Sequence, residues 1–255
     1  MRIVRYVTPT GPAWGVLDGD VVRATTGSPF VDLQAGDAVG GLEELELLAP
    51  VAPTTVMCVG RNYAEHAAEL GNEVPAAPLL FLKPAAAIVG PDAPIVLPTV
   101  SERVDHEGEL VVVIGRTATH VDEAEAMDVI GGYTCGNDVS ARDLQKGDPG
   151  GQWTRAKGFD SFAPMGPWIE TELDPSDVRV TVTVDEELRQ DGRTSQLIFT
   201  IPALIAYISA FTRLERGDVI MTGTPAGVGP IEAGQHVEVA IEGIGRLRNP
   251  VVASP

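Results

Sequence analysis

Two glutamates two positions apart lead into an apolar run, and an aspartate follows farther along the chain. Glu107 and Glu109 stand at the start of a segment, ending at residue 114, whose composition predicts a β-strand. Side chains alternate across a strand, so both carboxylates point to one side while the apolar positions pack on the other. Carboxylates this close repel each other unless a cation joins them. With Asp138 as a third ligand the set suits a hard divalent ion such as Mg²⁺, the alternative being a solvated strand edge with two surface glutamates.

A histidine and a glutamate lie three residues apart in residues 63–70, which are predicted to form a short helix ended by Gly71. On a helix, His66 and Glu69 share one face and come within hydrogen-bond reach. A carboxylate that holds an imidazole fixes its tautomer and raises its basicity, as a general base for water activation requires. A polar pair on the surface is the alternative for these two residues.

Two further segments carry groups that suit an anionic substrate. Lys157 is suited to neutralise excess carboxylate charge near a metal or to stabilise an oxyanion, the alternative being an ordinary surface cation. The glycine-rich loop 221–229 contains Thr224 and lacks the Gly-Lys-Ser/Thr ending of a phosphate-binding P-loop. Its backbone N–H groups and threonine hydroxyls suit a substrate carboxylate, although a structural hairpin turn explains the same composition.

Charge narrows the classes of function. The chain has 255 residues and a net charge of −18, from 36 acidic against 18 basic residues. This balance argues against a nucleic-acid partner and against docking on anionic lipid, because both need a basic face. The positions of the few basic residues are more informative about the substrate than the overall charge. Those near the predicted metal site are Arg142, Lys146, Arg155 and Lys157.

The cysteines and the apolar runs indicate a cytoplasmic protein. Cys58 and Cys135 lie far apart in strand-like runs, so we expect buried thiols rather than a disulfide framework or a zinc site. The N-terminal residues lack the unbroken apolar core of a signal peptide. No apolar run approaches the roughly 20 residues of a membrane span.

The first part of the chain resembles a small β unit. Short strands are predicted at residues 3–7, 14–17 and 21–22. Residues 42–48 resemble a short helix, and Pro50 and Pro53 mark a boundary. We therefore predict a small N-terminal domain at residues 1–53 and a catalytic domain at residues 54–255.

Beyond residue 53, short strands dominate and helices are few. The predicted strands are residues 55–59, 79–82, 95–97, 109–114, 132–135, 178–184, 218–221 and 236–241. The second predicted helix, residues 201–211, has an apolar stripe at helical spacing that ends at Phe211. Because Gly and Pro turns rather than helices separate the strands, we predict a mainly β fold with some α structure (α+β), a mixed β roll rather than a doubly wound sheet.

In order along residues 55 to 250, these segments resemble the fumarylacetoacetate hydrolase family. The matching motifs are Gly60-Arg61-Asn62-Tyr63 with His66, Phe81-Leu82-Lys83-Pro84, Asp105-His106-Glu107-Gly108-Glu109, residues 131–145, Lys157-Gly158-Phe159-Asp160, residues 190–199 and Thr222-Gly223-Thr224-Pro225. So many motifs in register make the resemblance specific.

The resemblance implies a catalytic domain with the β roll of this family, usually a homodimer, and a small variable N-terminal unit. It implies a Mg²⁺ or Mn²⁺ ion held by Glu107, Glu109 and Asp138. The further implied roles are Lys157 beside the metal ligands, Arg61 and Gln145 along the substrate pocket, Thr224 at a substrate carboxylate, and His66 with Glu69 on a lid segment.

The resemblance also implies the class of reaction. The chain lacks the larger N-terminal domain of the long family members, which points to the short bacterial-type members that act on small 2-oxo acids. Those enzymes hydrolyse acylpyruvates, decarboxylate oxaloacetate-like acids or isomerise hydroxymuconate-type dienes of aromatic catabolism. In each reaction, a metal that chelates the C1 carboxylate and the C2 oxygen stabilises a pyruvate enolate.

Among these reactions we favour hydrolysis of a 2,4-dioxo acid, with oxaloacetate decarboxylation as a further activity, because His66 with Glu69 supplies a means to activate water. The first alternative is a 2-hydroxyhepta-2,4-diene-1,7-dioate or 5-carboxymethyl-2-hydroxymuconate isomerase. A weaker alternative is a metal-binding scaffold without turnover.

Overall fold

The computed structural model describes residues 1–69, 71, 73–148 and 151–254 and shows a mostly β protein with few, short helices. In these residues the strands form sheets of 12, 3 and 5 members. The predicted fold class, a mainly β mixed roll, is confirmed. Within the described residues, no helix is long and apolar enough to cross a membrane.

The strands are numbered in chain order. They are β1 (Arg2–Thr8), β2 (Gly11–Asp18), β3 (Val21–Ser28), β4 (Val31–Gly41), β5 (Leu47–Leu48), β6 (Val56–Gly60), β7 (Leu79–Lys83), β8 (Ile88–Val89), β9 (Ile95–Leu97), β10 (Val104–His106), β11 (Gly108–Ile114), β12 (Ile130–Asn137), β13 (Ser140–Ala141), β14 (Ala163–Glu170), β15 (Arg179–Val184), β16 (Glu187–Arg193), β17 (Val219–Met221), β18 (Gly229–Pro230), β19 (His236–Ile241) and β20 (Gly245–Ala253). The large sheet runs β4-β3-β2-β1-β14-β12-β11-β17-β6-β7, with β5 on β1 and β8 on β14. The smaller sheets run β13-β10-β18 and β16-β15-β19-β20-β9.

Strand β11 lies inside the large sheet, antiparallel to both β12 and β17. Leu110, Val112 and Ile114 pack in one hydrophobic core together with β15 and β19, which belong to the five-stranded sheet. Val111 and Val113 pack in a second core on the opposite face. Every residue of β11 is therefore buried. The predicted alternation is present, and the alternative of a solvated strand edge is wrong because apolar side chains cover both faces.

The N-terminal strands extend the large sheet. Strand β1 pairs antiparallel with β14 through Ile3 and Ile169. The predicted helix at residues 42–48 is wrong, because only a short 3-10 helix (Leu42–Glu44) forms and Leu47–Leu48 pairs with β1. Strand pairing here overrides local helix propensity. The domain boundary at residue 53 stays a prediction.

Four α-helices occur in the described residues. They are α1 (Ala64–Glu69), α2 (Arg142–Gly147), α3 (Trp153–Lys157) and α4 (Ile201–Ser209). Thr200 caps α4 by accepting a hydrogen bond from the Ala203 N–H at 3.4 Å. Helix α4 ends at Ser209 rather than at residue 211, and Phe211 is 63% exposed instead of extending the buried stripe. The predicted first helix ran to Leu70, which lies outside the described residues.

Candidate metal centre and cleft

Three carboxylates converge where β11 begins. Glu107 lies between β10 and β11, Glu109 is in β11, and Asp138 directly follows β12. The register pairs Glu109 with Gly136, and the Asp138 N–H donates to the Glu107 backbone oxygen at 2.8 Å. One oxygen of each carboxylate lies within 4.8 Å of the others, and all three residues are buried. The structure therefore brings together the three residues that the sequence predicts as metal ligands.

Three cationic side chains contact this cluster. Lys157 Nζ donates to Glu107 Oε2 at 2.9 Å and to Asp138 Oδ2 at 2.6 Å. Lys83 Nζ lies 2.8 Å from Asp138 Oδ1, and Arg142 donates to the Glu107 carboxylate through Nη2. Burial alone would raise the pKa of Glu107, but Lys157 and Arg142 hold that pKa well below its usual range.

Glu109 is the member of the cluster that has no ion pair with a cation among the described residues. Its carboxylate accepts a hydrogen bond from the Gly223 N–H at 2.8 Å. Burial, and then the charges of Asp138 and Glu107, raise the pKa of Glu109 well above its usual range. Without a bound cation Glu109 therefore tends to keep its proton, because its ionised form is the one that the protein alone compensates least.

The charge balance of the cluster fits a divalent cation. The buried charged groups in and beside the cluster are the acids Asp105, Glu107, Glu109 and Asp138 and the bases Lys83, Arg142 and Lys157, while the exposed Arg103 also pairs with Asp105. When all of them are ionised, the four buried carboxylates outnumber the three buried cations by one. Close oxygen ligands with excess negative charge suit Mg²⁺ and Mn²⁺. The residues present therefore fit the ion that the resemblance implies, with the three carboxylates of the cluster as ligands.

The carboxylate cluster lies at the inner, buried end of an open cleft. The predicted site residues that line this cleft are Arg61, His66, Glu107, Glu109, Gln145, Lys157 and Thr224. Asp138 and Glu69 are not part of the lining but contact residues that are. Of the other bases near the site, Arg142 and Lys146 line the cleft, whereas Arg155 pairs with Asp148 and does not.

His66 reaches the cleft from α1. Its side chain is buried, and burial lowers its pKa below 6.5, so the neutral imidazole predominates at pH 7. The Glu69 Oε2 atom lies 3.6 Å from His66 Nδ1, which is too long for a hydrogen bond. Glu69 instead accepts a hydrogen bond from the Gly227 N–H at 3.1 Å. The two residues share one helix face as predicted, but the predicted hydrogen bond between them is not formed.

Arg61 directly follows β6, Gln145 lies in α2, and both residues line the cleft. Arg61 has a left-handed backbone, with φ at 57°, and its guanidinium carbon lies 5.7 Å from the centre of the Trp153 ring. Gln145 accepts a hydrogen bond from Arg142 Nη1 at 2.6 Å. Trp153 therefore forms a flat apolar wall beneath one of the cations of the cleft.

Gln190, in β16, connects the metal cluster to the glycine-rich loop. Its Oε1 accepts hydrogen bonds from His106 Nδ1 and from the Gly108 N–H, both at 3.0 Å. Its Nε2 donates to Thr224 Oγ1 and to the Pro225 backbone oxygen, both at 2.7 Å. Every donor and acceptor of this fully buried amide is used, which fixes its orientation. Gln190 thus anchors Gly108, the residue between the two glutamates.

The same network determines what Thr224 offers to a ligand. The Thr224 hydroxyl donates its hydrogen to the Gly108 backbone oxygen at 2.8 Å and accepts from Gln190. The Thr224 hydroxyl oxygen therefore keeps one free lone pair, whereas its hydrogen is already used. This arrangement suits an O–H group of a ligand, whereas the resemblance implies a contact with a carboxylate.

Lys83, Asp105 and Gln190 belong to the site, yet the sequence reasoning assigned them no role. The available signal was strongest for Lys83, which ends the apolar segment β7. A buried charge requires a charged or hydrogen-bonding partner, so a lysine in such a segment points to an unseen acid. Gln190 stands in the matching motif at residues 190–199, but its burial could not be inferred because its neighbours in β16 are mostly exposed and polar.

We expect Gln190→Met to lower the free energy of unfolding by roughly 3 kcal/mol or more, because four buried groups each lose a hydrogen-bond partner. Urea unfolding measures this loss. The matched control is Gln34→Met at an exposed position of β4, which should change stability by no more than about 0.5 kcal/mol. Equal effects of the two substitutions would contradict the anchoring role of Gln190.

Two family models match the chain. Residues 55–252 match the model described as fumarylacetoacetate (FAA) hydrolase C-terminal. Residues 1–50 match the model described as Rv2993c-like, N-terminal. Together the two matches span most of the chain.

Similar proteins have names that describe several reactions. The solved structure of 5-carboxymethyl-2-hydroxymuconate delta-isomerase from Mycobacterium smegmatis is 47% identical, covers 100% of both chains and has a TM-score of 0.93. The oxaloacetate tautomerase FAHD2B, mitochondrial, of Bos taurus is 37% identical, over 99% of this chain and 92% of that protein. Fumarylpyruvate hydrolase from Pseudomonas aeruginosa, solved in complex with Mn²⁺ and pyruvate, is 34% identical over 81% of this chain and 98% of its own, with a TM-score of 0.75.

Proposed function

This chain belongs to the fumarylacetoacetate hydrolase family, and we propose that it is a divalent-metal-dependent enzyme that hydrolyses a 2,4-dioxo acid of the acylpyruvate type by way of an enolate. The observation that carries this proposal is the buried cluster of Glu107, Glu109 and Asp138 at the inner end of a cleft that His66 and Lys157 also line. An oxygen-ligand site, a fixed cation and a neutral base are the groups that such a reaction needs.

The inner end of the cleft is suited to a 2-oxo acid. When bound, Mg²⁺ or Mn²⁺ supplies positive charge for the C1 carboxylate and the C2 oxygen. Burial would lower the pKa of Lys157, but Asp138 and Glu107 raise it, so its ammonium stays charged at neutral pH. A fixed ammonium near the C2 oxygen stabilises the negative charge that develops there. The relative solved with Mn²⁺ and pyruvate supports this assignment.

His66 supplies the base. Its neutral imidazole takes a proton from a water molecule while the water oxygen forms a bond to the C4 carbonyl carbon of the substrate. The bond between C3 and C4 then breaks, and its electron pair passes to the pyruvate part as an enolate. The enolate takes up at C3 the proton that His66 removed from the water, which restores the neutral imidazole, and it leaves as pyruvate while the acyl part leaves as a carboxylic acid. The nearby Glu69 carboxylate stabilises the imidazolium formed in the first step.

The second candidate is isomerisation or keto–enol tautomerisation of a 2-oxo acid. It is favoured by relatives that match nearly the whole chain and are named as an isomerase and a tautomerase. This reaction uses the same enolate but moves a proton between carbon and oxygen without water. His66 would then exchange the proton with the substrate directly, and Lys157 would keep its role.

A panel of substrates with Mg²⁺ and with Mn²⁺ tests these proposals. We expect acetylpyruvate to lose its ultraviolet absorbance in a metal-dependent reaction that releases pyruvate and acetate. The comparison substrates are enol oxaloacetate and a 2-hydroxymuconate-type diene. If those two are converted and acetylpyruvate is not, the second candidate replaces the first. If metal binds but none of the three is converted, the protein is a scaffold.

We further propose that the protein works as a homodimer in the cytoplasm. Its binding partner other than a second copy of itself is a small-molecule substrate. The family resemblance supports the dimer, and the net charge of −18 is unsuited to nucleic acid or anionic membranes. Sedimentation at micromolar concentration checks the dimer, and a single species of monomer mass would contradict it.

A further inference from the structure

Asn62 is a fully buried residue to which the proposed function gives no part. It directly follows Arg61 and lies two positions before α1. Its Nδ2 donates to the Phe199 backbone oxygen at 3.0 Å and to the Thr222 backbone oxygen at 2.8 Å. Its Oδ1 accepts a hydrogen bond from the Phe199 N–H at 2.7 Å. Because both donor hydrogens and the acceptor have partners, the amide is held in one orientation.

Two buried amides hold the glycine-rich loop, one on each side of Gly223. Asn62 holds the residue before it through the Thr222 backbone oxygen. Gln190 holds the residue after it through the Thr224 hydroxyl. The backbone of Gly223 is thus fixed from both directions, although Asn62 and Gln190 come from distant parts of the chain.

Gly223 also packs directly on Asn62. Its φ of 104° lies in the left-handed region that favours glycine. A Cβ atom at residue 223 would lie only 2.7 Å from the Asn62 Cβ atom. This distance is well below the contact distance of two carbon atoms, so the loop could not keep its place beside Asn62 with any other residue at this position.

The Gly223 N–H determines how Glu109 is oriented. It donates to Glu109 Oε2 at 2.8 Å, and among the described residues no cation pairs with this carboxylate. One oxygen of Glu109 is therefore held by the loop, which leaves the other oxygen for an ion. Groups that hydrogen-bond to a metal ligand fix its direction, and their loss usually weakens metal binding by about 10-fold to 100-fold.

We propose that Asn62 is a positioning residue of the metal centre. By holding Thr222, it keeps the Gly223 N–H at the place where that N–H orients Glu109. Asn62 is fully buried and is not among the described residues that line the cleft, so it acts through the backbone of the loop rather than by contact with the ion or the substrate. This inference rests on the proposed function, since it assumes that the three carboxylates bind a divalent ion.

Calorimetric titration of the metal-free protein with Mg²⁺ tests this role, because it measures metal affinity without any turnover. In Asn62→Ala, Thr222 loses its amide donor and the Gly223 N–H is no longer fixed from that side. We expect the Kd for Mg²⁺ to rise about 10-fold, the lower end of the usual range, since the N–H is displaced rather than removed.

The matched control is Asn249→Ala. Asn249 lies in β20, is buried, and donates from Nδ2 to the backbone oxygens of Gly90 and Ala93, at 2.9 Å and 2.8 Å. Its contacts resemble those of Asn62, but they lie in a loop that carries none of the three proposed metal ligands. Both substitutions should lower the melting temperature in chelator, because buried oxygens lose a donor. Only Asn62→Ala should change the Kd for Mg²⁺, whereas an equal change in both variants would show a structural effect and overturn the positioning role.

Gly223→Ala gives a second test that does not depend on the folding of Asn62→Ala. Because the added Cβ atom would lie too close to Asn62, the loop must move away and take the N–H with it. We expect weaker Mg²⁺ binding in this variant, again by about 10-fold. An unchanged Kd in Gly223→Ala, or in Asn62→Ala, would overturn the inference.

The parent protein separates failure of this inference from failure of the proposed function. If the parent binds Mg²⁺ and either variant binds it equally well, only the positioning role is overturned. If the parent binds neither Mg²⁺ nor Mn²⁺, the metal-dependent function fails, and the positioning role fails with it.

Discussion

Replacing Glu109 by glutamine is expected to abolish both the enzyme activity and the rise in melting temperature that Mg²⁺ produces in the parent protein. Glu109 is the buried carboxylate whose charge the protein leaves poorly compensated, and a neutral amide cannot replace that charge for the ion. A ligand at 100 times its Kd stabilises the folded state by about 2.7 kcal/mol, and the variant should lose this stabilisation. Thermal scans with and without Mg²⁺ measure it.

In the metal-free protein, Glu109→Gln is expected to raise stability above pH 4.5. Because the pKa of Glu109 is raised in the folded state, that state keeps a proton which the unfolded chain has released above pH 4.5. The parent therefore loses stability as the pH rises through this window, by up to about 1.4 kcal/mol per pH unit, and the variant does not. The free energies of unfolding of the parent and the variant are measured in chelator at several pH values. Their difference cancels the contributions of His66 and His106, which both proteins contain.

Glu238→Gln is the matched control for these measurements. Glu238 lies on β19 and pairs with the exposed Arg246, away from the metal cluster. This variant should keep the activity and the Mg²⁺-dependent shift. Full activity of the parent in excess chelator would contradict the assignment of the metal site.

Replacing His66 by alanine is expected to lower acylpyruvate hydrolysis by about 100-fold or more, the usual contribution of a general base. Glu69→Gln should reduce hydrolysis less, because Glu69 acts on His66 through its charge at 3.6 Å rather than through a hydrogen bond. Neither variant should lose the Mg²⁺-dependent shift in melting temperature. The parent rate should fall with the pH below 6.5, since the lowered pKa of His66 places its protonation there. Steady-state kinetics across pH measure both effects.

The Lys157→Met variant distinguishes stabilisation of the enolate by Lys157 from activation of water by His66. Because Lys157 acts on the developing negative charge, its loss should damage every reaction that passes through the enolate, including tautomerisation. Loss of His66 should instead be most severe where water must be activated. If His66→Ala hydrolyses acylpyruvates at the parent rate, the water-activating role is wrong and the isomerase reaction becomes the better account.

Much of this site was predictable from local spacing. The two-residue interval of Glu107 and Glu109 and the three-residue interval of His66 and Glu69 each place side chains on one side of an element. The structure shows both arrangements. The strands with strong apolar runs, such as β9 and β19, have the predicted bounds. Among the missed strands, β4 is mostly exposed and its apolar residues are interrupted by glycines and aspartates, and β16 is largely polar. Strand β14 is buried, but its two prolines and its glycine conceal the apolar run.

Only the tertiary structure determined how the site is held together. Gln190 contacts His106 across 84 positions of sequence, and Lys83 contacts Asp138 through the pairing of distant strands. The direction of a side chain within one strand follows from backbone geometry, so it can be predicted from the sequence alone. Which distant strands become neighbours, and in which register, depends on the packing of whole sheets, and a shift of one residue would turn every side chain to the opposite face.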